Sequence, residues 1–392
     1  MNNIDIAIIA VGYNRKDSME RLLSSLNNAF FENDSITLII SIDKSDSDIV
    51  DTFAEQYRWV HGEKIVDKHT INMGLKRHMM SLDKWFDYYD ALIILEDDIV
   101  VSPFFYSYAK ACILKYRDNP QIAGISLYNF NVNYQTRLPF TPLKKTYDIY
   151  FMNCAMSWGE IWMKKQWKAF KKWLNLHDEF SYSPTIPSCL FKWGKNSWLK
   201  YHTRYCIEEN KYFVYPYNSY STNFGDKGVH HTGYGYDIAQ VPLEIGECRL
   251  KLPCSIDEDC VKYDGFFENK SICNWLGIND NSIIIDLNGS KSLYNKSFVL
   301  SSKILDYKII RSFGMDYHPI EANILMNNSG DDLFLYSTDI KCKNTHKSSI
   351  NRLYSYYYRI SSLPNFLRTI GFMNILTECI RYFFIKIKSK FS

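Results

Sequence analysis

Three short apolar runs, Ile4–Ala10, Ile36–Ile42 and Ala91–Leu95, are each long enough for one strand, and each runs into polar side chains. The first leads to Tyr13-Asn14-Arg15, the second to Asp43 and the third to Glu96-Asp97-Asp98. Helical patterns lie between them. Asp17 or Ser18 can cap a helix whose apolar positions Met19, Leu22, Leu23 and Leu26 share one face. Further helices are expected near Asp48–Tyr57, over Gly74–Phe86 and from Pro103 to about Tyr116, with a strand over Ile122–Leu127. Such alternation predicts an α/β unit built on a mainly parallel sheet flanked by helices. Ligands of such sheets gather at the carboxyl ends of the strands. Three polar strand ends therefore mark a candidate site.

The acidic triplet is the sharpest of these signals. Adjacent carboxylates repel, and a buried strand end gives little water to screen them. A divalent cation relieves that repulsion, and hard oxygen ligands favour Mg²⁺ or Mn²⁺ bound partly through phosphate and water. Strand alternation predicts Glu96 and Asp98 on one face and Asp97 on the other. The plainer reading is a solvated acidic turn.

A chain of 392 residues is expected to divide into two or three units. From about 150 to 240 the texture changes to Trp, Tyr and Gly in irregular order, with a helical pattern over Met163–Leu174. Residues 241–278 show no clear pattern, and 279–345 hold β-like runs at Ser282–Leu287, Phe298–Leu300 and Leu333–Tyr336, which predict a small β-rich unit. Residues 346–392 predict two amphipathic helices broken by Pro364, the second carrying Met373, Leu376, Ile380, Phe383, Phe384 and Ile387 on one stripe.

The net charge of +3 is unevenly spread: Lys347 to Ser392 holds eight Lys/Arg against Glu378 alone, and the first 346 residues hold 38 basic and 42 acidic groups. That distribution excludes a general nucleic-acid footprint. It makes the tail a candidate for the surface of an anionic membrane, against packing on its own domain. The ten cysteines form no C-x-x-C pair or zinc spacing, which favours reduced thiols in a cytoplasmic protein. The first apolar run follows no basic segment and reads as a strand rather than a signal peptide.

Taken in order, several segments resemble the metal-dependent glycosyltransferases of the GT-A fold. The resemblance is to the inverting N-acetylglucosaminyltransferase I type and to bacterial transferases that build surface polysaccharides. It covers about residues 4–240. Its pieces are Val11–Arg15, Ser41-Ile42-Asp43 and Leu95-Glu96-Asp97-Asp98-Ile99-Val100-Val101-Ser102-Pro103-Phe104-Phe105. Met156-Ser157-Trp158-Gly159, Asn196-Ser197-Trp198, Tyr215-Pro216 and the stretch from Phe224 to His231 follow in the same order. The resemblance implies a nucleotide-sugar-binding half over 1–130 and an acceptor-side half over 131–245; an accessory, partly β-rich region over 246–345 and a basic amphipathic helical tail over 346–392 lie beyond it. It implies Asp98 as the ligand of Mn²⁺ or Mg²⁺, Asp97 on the ribose with Glu96 supporting it, Asp43 on the base and Arg15 near the diphosphate. His231 matches the family's histidine, in a Gly-spaced loop suited to closing over a donor. A UDP-sugar donor, a glycan or lipid-linked glycan acceptor and a location in the cytoplasm or at the inner face of its membrane complete the expectation.

Inverting transfer needs a carboxylate to take the acceptor's proton. Where the resemblance places an acidic pair, this chain has Leu199 and Lys200. Glu160, directly after Trp158-Gly159, is the substitute candidate, with Asp226, Glu208 and Glu179 behind it. Trp158 and Trp198 can wall a sugar ring or pack in the core. Two other classes stay open: a non-catalytic nucleotide-sugar-binding protein of the same fold, and a nucleotidyltransferase. The second would carry a Gly-rich phosphate loop after the first strand, where only Gly12 stands.

Overall fold

The computed structural model describes residues 4–177, 179–226, 237–247, 249–346, 350–359 and 362–391. Its centre is a nine-stranded sheet. In chain order the strands and the main helices are β1 (Ile6–Gly12), α1 (Lys16–Asn27), β2 (Thr37–Ile42), α2 (Ile49–Gln56), β3 (Lys64–Lys68), α3 (Leu75–Ser81) and β4 (Ala91–Glu96). There follow β5 (Ile99–Val101), α4 (Phe105–Tyr116), β6 (Ile122–Ser126), β7 (Ile149–Met152), β8 (Glu160–Met163) and α5 (Lys164–Leu174). The unit closes with α6 (Leu199–Glu208), β9 (Tyr212–Pro216), β10 (Ser221–Asn223) and β11 (Lys262–Tyr263).

The spatial order is β11-β7-β9-β6-β8-β4-β1-β2-β3. Strands β1, β2, β3, β4, β6 and β9 run one way, while β7, β8 and β11 run the other. The expected α/β architecture with a mainly parallel sheet is therefore present. Alternate residues of β1 feed two cores: Ile6, Ile8 and Ala10 pack with α1, α2 and α4, and Ala7, Ile9 and Val11 with α3, α5 and α6. Burial on both faces explains why these strands read as continuous apolar runs. Helix α1 lies close on the sheet because Gly12 has no side chain; a Cβ there would come within 2.5 Å of the Met19 methyl.

Beyond β4 the chain makes a short β5–β10 antiparallel ribbon. A separate four-stranded sheet follows, β12 (Ile283–Asp286), β13 (Phe298–Ser301), β14 (Tyr307–Phe313) and β15 (Leu333–Lys341), in the order β12-β13-β15-β14. Within 246–345, residues up to Phe267 belong to the central unit: β11 extends its sheet and Phe267 joins its aromatic core. Among its described residues the tail forms three helices, 350–358, 363–370 and 372–391, rather than two. Pro364 opens the second of them, where its missing N–H costs nothing, and the further break falls at Gly371 with φ +87°. Among the described residues no helix is long and apolar enough to cross a membrane.

Candidate functional site

The carboxyl ends of β1, β2 and β4 are level. Val11 pairs with Ser41 on one side and with Glu96 on the other, so one rung carries the chain exits of all three strands. Strand β4 ends at Glu96, and Asp97-Asp98 form a turn into β5. Strict alternation therefore stops one residue early, and Asp97 and Asp98 both meet Arg15 instead of facing opposite sides. The Arg15 guanidinium donates through Nε to Asp97 Oδ2 at 3.1 Å and through Nη2 to Asp97 Oδ1, and lies 3.5 Å from Asp98 Oδ2. Arg15 occupies the position before the first turn of α1 without capping it. Its side chain is committed to the acidic turn.

One guanidinium faces three carboxylates here. Glu96 is pushed up to about 8 by burial, then by Asp98 and Asp97, with Arg15 and the Ser157 hydroxyl acting against the rise. Asp97 is pushed up to about 6 by burial, and Arg15 holds it from rising further. Asp97 is buried, while Glu96 and Asp98 are partly exposed, Asp98 over a fifth of its side chain. A second ion pair stands beside them. Asp226 accepts from Ser18 Oγ at 2.7 Å and from Arg21 Nη2, and Arg21 lies 3.7 Å over the ring of Phe224. The Phe224 N–H donates to the Asp98 carbonyl at 2.8 Å, which ties the start of the following loop to the acidic turn.

Asp43 is buried at the end of β2 and works on the backbone. Its Oδ1 accepts from the Met73 and Lys44 N–H groups at 2.8 and 3.0 Å, and Oδ2 accepts from Gly74 N–H at 2.9 Å. The loop before α3 is thereby fixed against the strand end, with Asn72 Nδ2 bonded to the Lys44 carbonyl at 3.0 Å and to Tyr13 Oη at 3.2 Å. A carboxylate has about four acceptor positions, so the three amides leave Asp43 one.

Glu160 begins β8 and is in the core rather than in an open cleft wall. It is 1% exposed, and its Oε1 lies 3.0 Å from His202 Nδ1 on α6. Burial raises its proton affinity. The His202 ring stacks on Phe170 at 4.2 Å and meets Phe213 edge-on at 5.0 Å. Trp198 is likewise buried, edge-on to Trp162 at 5.6 Å, and gives no face to a ligand. Trp158 is half-buried against Tyr128, and its carbonyl accepts from Ser221 Oγ at 2.6 Å. The bend after it requires glycine: Gly159 has φ +91°, and a Cβ would sit 2.9 Å from Ser221 Oγ.

Leu199 packs against the aromatic core, and Lys200 is buried with Nζ donating to the Trp193 and Gly194 carbonyls at 3.3 and 3.2 Å. Glu208 accepts from Arg204 Nε at 2.7 Å on the exposed side of α6, and the Glu179 side chain is exposed. His231, together with His230, Gly228, Gly233 and Gly235, lies outside the described residues. Sequence reasoning missed the Ser157–Glu96 contact and the Ser18–Asp226–Arg21 cluster. Only the Ser-Trp-Gly and Phe-Gly-Asp motifs hinted that these segments meet.

No protein-family profile matches the sequence, and no curated protein matches it. Some solved structures align with part of this chain. Residues 1–349 of S. aureus TarS in complex with UDP-GlcNAc align over 59% of this chain and 62% of that one, at 16% identity and a TM-score of 0.40. The mannosyltransferase PcManGT from Pyrobaculum calidifontis, in complex with GDP-Man and Mn²⁺, aligns over 54% and 56%, at 10% identity and a TM-score of 0.34. GalNAc-T7 with UDP, GalNAc and Mn²⁺ aligns over 55% and 43%, at 16% identity and a TM-score of 0.36. The chain thus spans less than two thirds of the length of each.

Proposed function

We propose that this protein transfers a sugar from a nucleoside diphosphate sugar to a hydroxyl acceptor, with a UDP-linked donor and inversion at the anomeric carbon. The observation that carries this reading is the acidic turn at the β4 end, where Asp97 and Asp98 share Arg15 and Glu96 holds its proton more tightly than an ordinary carboxyl. The donor set consists of hard oxygens and fits Mg²⁺ or Mn²⁺. Among the described residues no three His, Cys, Asp or Glu side chains are gathered for a metal. Asp98 would hold the ion together with ligand oxygens and water, as such cations accept. Bound there, the ion supplies Lewis-acid stabilisation of charge on a departing diphosphate.

The chain's own groups divide the remaining work. Arg15 can move part of its charge from Asp97 to a diphosphate, and a guanidinium suits phosphate geometry. In this reading Asp97 accepts from a ribose hydroxyl and Glu96 supports the turn. Asp43 keeps one acceptor position for an N–H of a base, inside a loop it has already ordered. His231 remains the proposed loop contact to the donor. For Glu160 to act as the general base, the contact between β8 and α6 would have to open; Asp226 already stands beside the acidic turn, held by Ser18 and Arg21.

The test is release of nucleotide from a panel of UDP-, GDP- and CMP-sugars with Mn²⁺ present and absent, using the full chain. Metal-dependent hydrolysis of a UDP-sugar is the expected result; absence of both turnover and calorimetric binding for every donor refutes the reading. A second reading has its own support. Leu199 and Lys200 are structural where a carboxylate pair is expected, and Glu160 is enclosed, as in a protein that binds nucleotide sugars without turning them over. Binding without turnover selects that reading.

The acceptor role we infer is in bacterial surface polysaccharide synthesis, at a lipid-linked glycan on the inner face of the cytoplasmic membrane. The tail supports it. On helix 372–391, Phe372, Met373, Leu376, Ile380, Phe383 and Phe384 are exposed, within the 347–392 stretch that has seven more basic than acidic groups. An exposed apolar stripe with basic flanks suits an anionic bilayer surface. Sedimentation with phosphatidylglycerol vesicles should carry down the full chain and leave a chain ending at Thr345 in solution. Equal partitioning removes the membrane assignment.

A further inference from the structure

A second opening lies on the same edge of the sheet as the acidic turn. Strands β4, β6 and β9 run parallel, so the residues leaving β6 and β9 emerge where Glu96–Asp98 emerge. Between those exits is a cleft of about 330 Å³, lined among others by Asn129, Asn131, Tyr217, Asn218, Val241 and Glu244. That volume is at the lower end of small-ligand sites.

The cleft is tied to β10, the strand that pairs with β5 beyond the acidic turn. Val241 N–H donates to Thr222 Oγ1 of β10 at 2.9 Å, and Gln240 Nε2 donates to the Phe224 carbonyl at 3.3 Å. Phe224 is the residue whose N–H reaches Asp98. On the far side, Glu244 N–H donates to the Ser219 carbonyl at 2.8 Å, and its carbonyl accepts from Ser102 Oγ. The opening is thus held by hydrogen bonds that continue to the proposed donor site.

Its lining has two kinds of surface. Val241, Pro242, Leu243 and the Tyr217 ring are apolar. The polar groups are three amides, the Ser219 and Tyr217 hydroxyls and one carboxylate. Asn218 Nδ2 donates to Glu244 Oε2 at 2.6 Å, and Gly246 N–H donates to Oε1 at 3.1 Å. Asn131 Nδ2 reaches the Gln240 carbonyl at 3.4 Å, while its Oδ1 is buried with no hydrogen-bond partner among the described residues. Asn131 as a whole is only half-buried, so turning its amide toward the cleft would pair that costly unpaired acceptor with an incoming donor. Pyranose rings offer such donors on their edges and C–H groups on their faces. Glu244 is the one charged residue in the lining, which opposes an anionic ligand.

We propose that this cleft seats a neutral saccharide ring of the acceptor and so positions it for transfer, away from the reacting hydroxyl itself. The inference rests on the transferase reading above. Its test is saturation-transfer NMR on the full chain, with UDP and Mn²⁺ saturating the donor site. The probes are methyl N-acetyl-β-glucosaminide and methyl β-galactoside, with glucuronate and inorganic phosphate as anionic controls. A neutral glycoside should receive saturation and the anions should not. Asn131→Ala and Glu244→Gln should each cut that signal about fivefold, near the loss of one hydrogen bond, with the melting temperature retained. Calorimetry with UDP and Mn²⁺ on the same two variants should be unchanged. No glycoside signal while UDP still binds overturns the cleft alone, as does a signal that both variants keep. A signal that UDP abolishes puts the sugar in the donor site and also overturns it. Failure of the unsubstituted chain to bind UDP removes the transferase reading itself.

Discussion

Glu96 and Glu160 stand on neighbouring strands and share a face of the sheet. Glu160 pairs with Ile94, and Glu96 is two residues further along the same strand. Their surroundings differ completely. Glu160 is enclosed with a histidine between two helices and an aromatic core, whereas Glu96 has reached the strand end, beside a serine hydroxyl, two carboxylates and an arginine. A single step along the sheet separates a group that helps seal the interior from a group that helps shape a site. The carboxylate itself does not decide which; the length of strand remaining beyond it does.

The largest expected effect breaks the site side of that comparison. Asp98→Asn keeps the shape of the turn and removes the open charge. Metal-dependent release of nucleotide should fall on the order of 100-fold or more, as for loss of one well-placed electrostatic contact in a transition state. Retained Mn²⁺-dependent turnover would contradict the role given to Asp98. Arg15→Ala comes next. It leaves Asp97 buried without its bidentate partner and takes a cation from the diphosphate. The Kd for UDP, measured by calorimetry, should rise about tenfold, or about 1.4 kcal/mol. The melting temperature should fall as well, because one half of a largely buried pair has been removed.

Much of the site side was legible in the sequence because strand ends announce themselves: an apolar run stops and charge begins. Arg15, Asp43 and Glu96–Asp98 were all visible that way, and so were α1, α2 and α4. The inner side was not. Strands β7, β8 and β9 are four or five residues long and buried on both faces, so they show no alternation and vanish among Trp and Tyr. Glu160 looked like part of an open wall because nothing local reveals His202, forty-two residues later, closing over it. Asp43 looked free to meet a base because its bonds go to backbone amides at Met73 and Gly74, and backbone groups leave no mark in a sequence. The edge strand β14, half exposed and irregularly paired, also escaped.

A smaller effect concerns pH. Glu96 moves from 4.5 to about 8 and Asp97 from 3.8 to about 6 on folding. Between those values the folded chain holds protons that the unfolded chain has released. Stability therefore falls as pH rises through the window and levels off below it. Without divalent ions, the melting temperature should drop by a few degrees between about pH 5 and about pH 8. Glu96→Gln should flatten most of that slope. Mn²⁺ should oppose it most strongly at the upper end, where the carboxylates are free to bind. A slope unchanged by Glu96→Gln would mean that the strand end is not the source.

The smallest expected effect tests the inner side. Glu160→Gln preserves shape and still offers His202 an acceptor, while removing the charge. If the enclosed pair only seals the β8–α6 contact, donor hydrolysis should stay within about twofold of the unsubstituted chain, as for a group distant from the chemistry. Stability should change more than activity, because burial of the carboxylate already disfavours its charged form and an amide avoids that cost. A fall in kcat comparable to that of Asp98→Asn, with the melting temperature retained, would reverse the comparison. It would mean that the β8–α6 contact opens during turnover and exposes Glu160 as the missing base. Asp226→Asn measured alongside then separates the two candidates, since a general base loses its rising limb in the pH profile of kcat and a bystander does not.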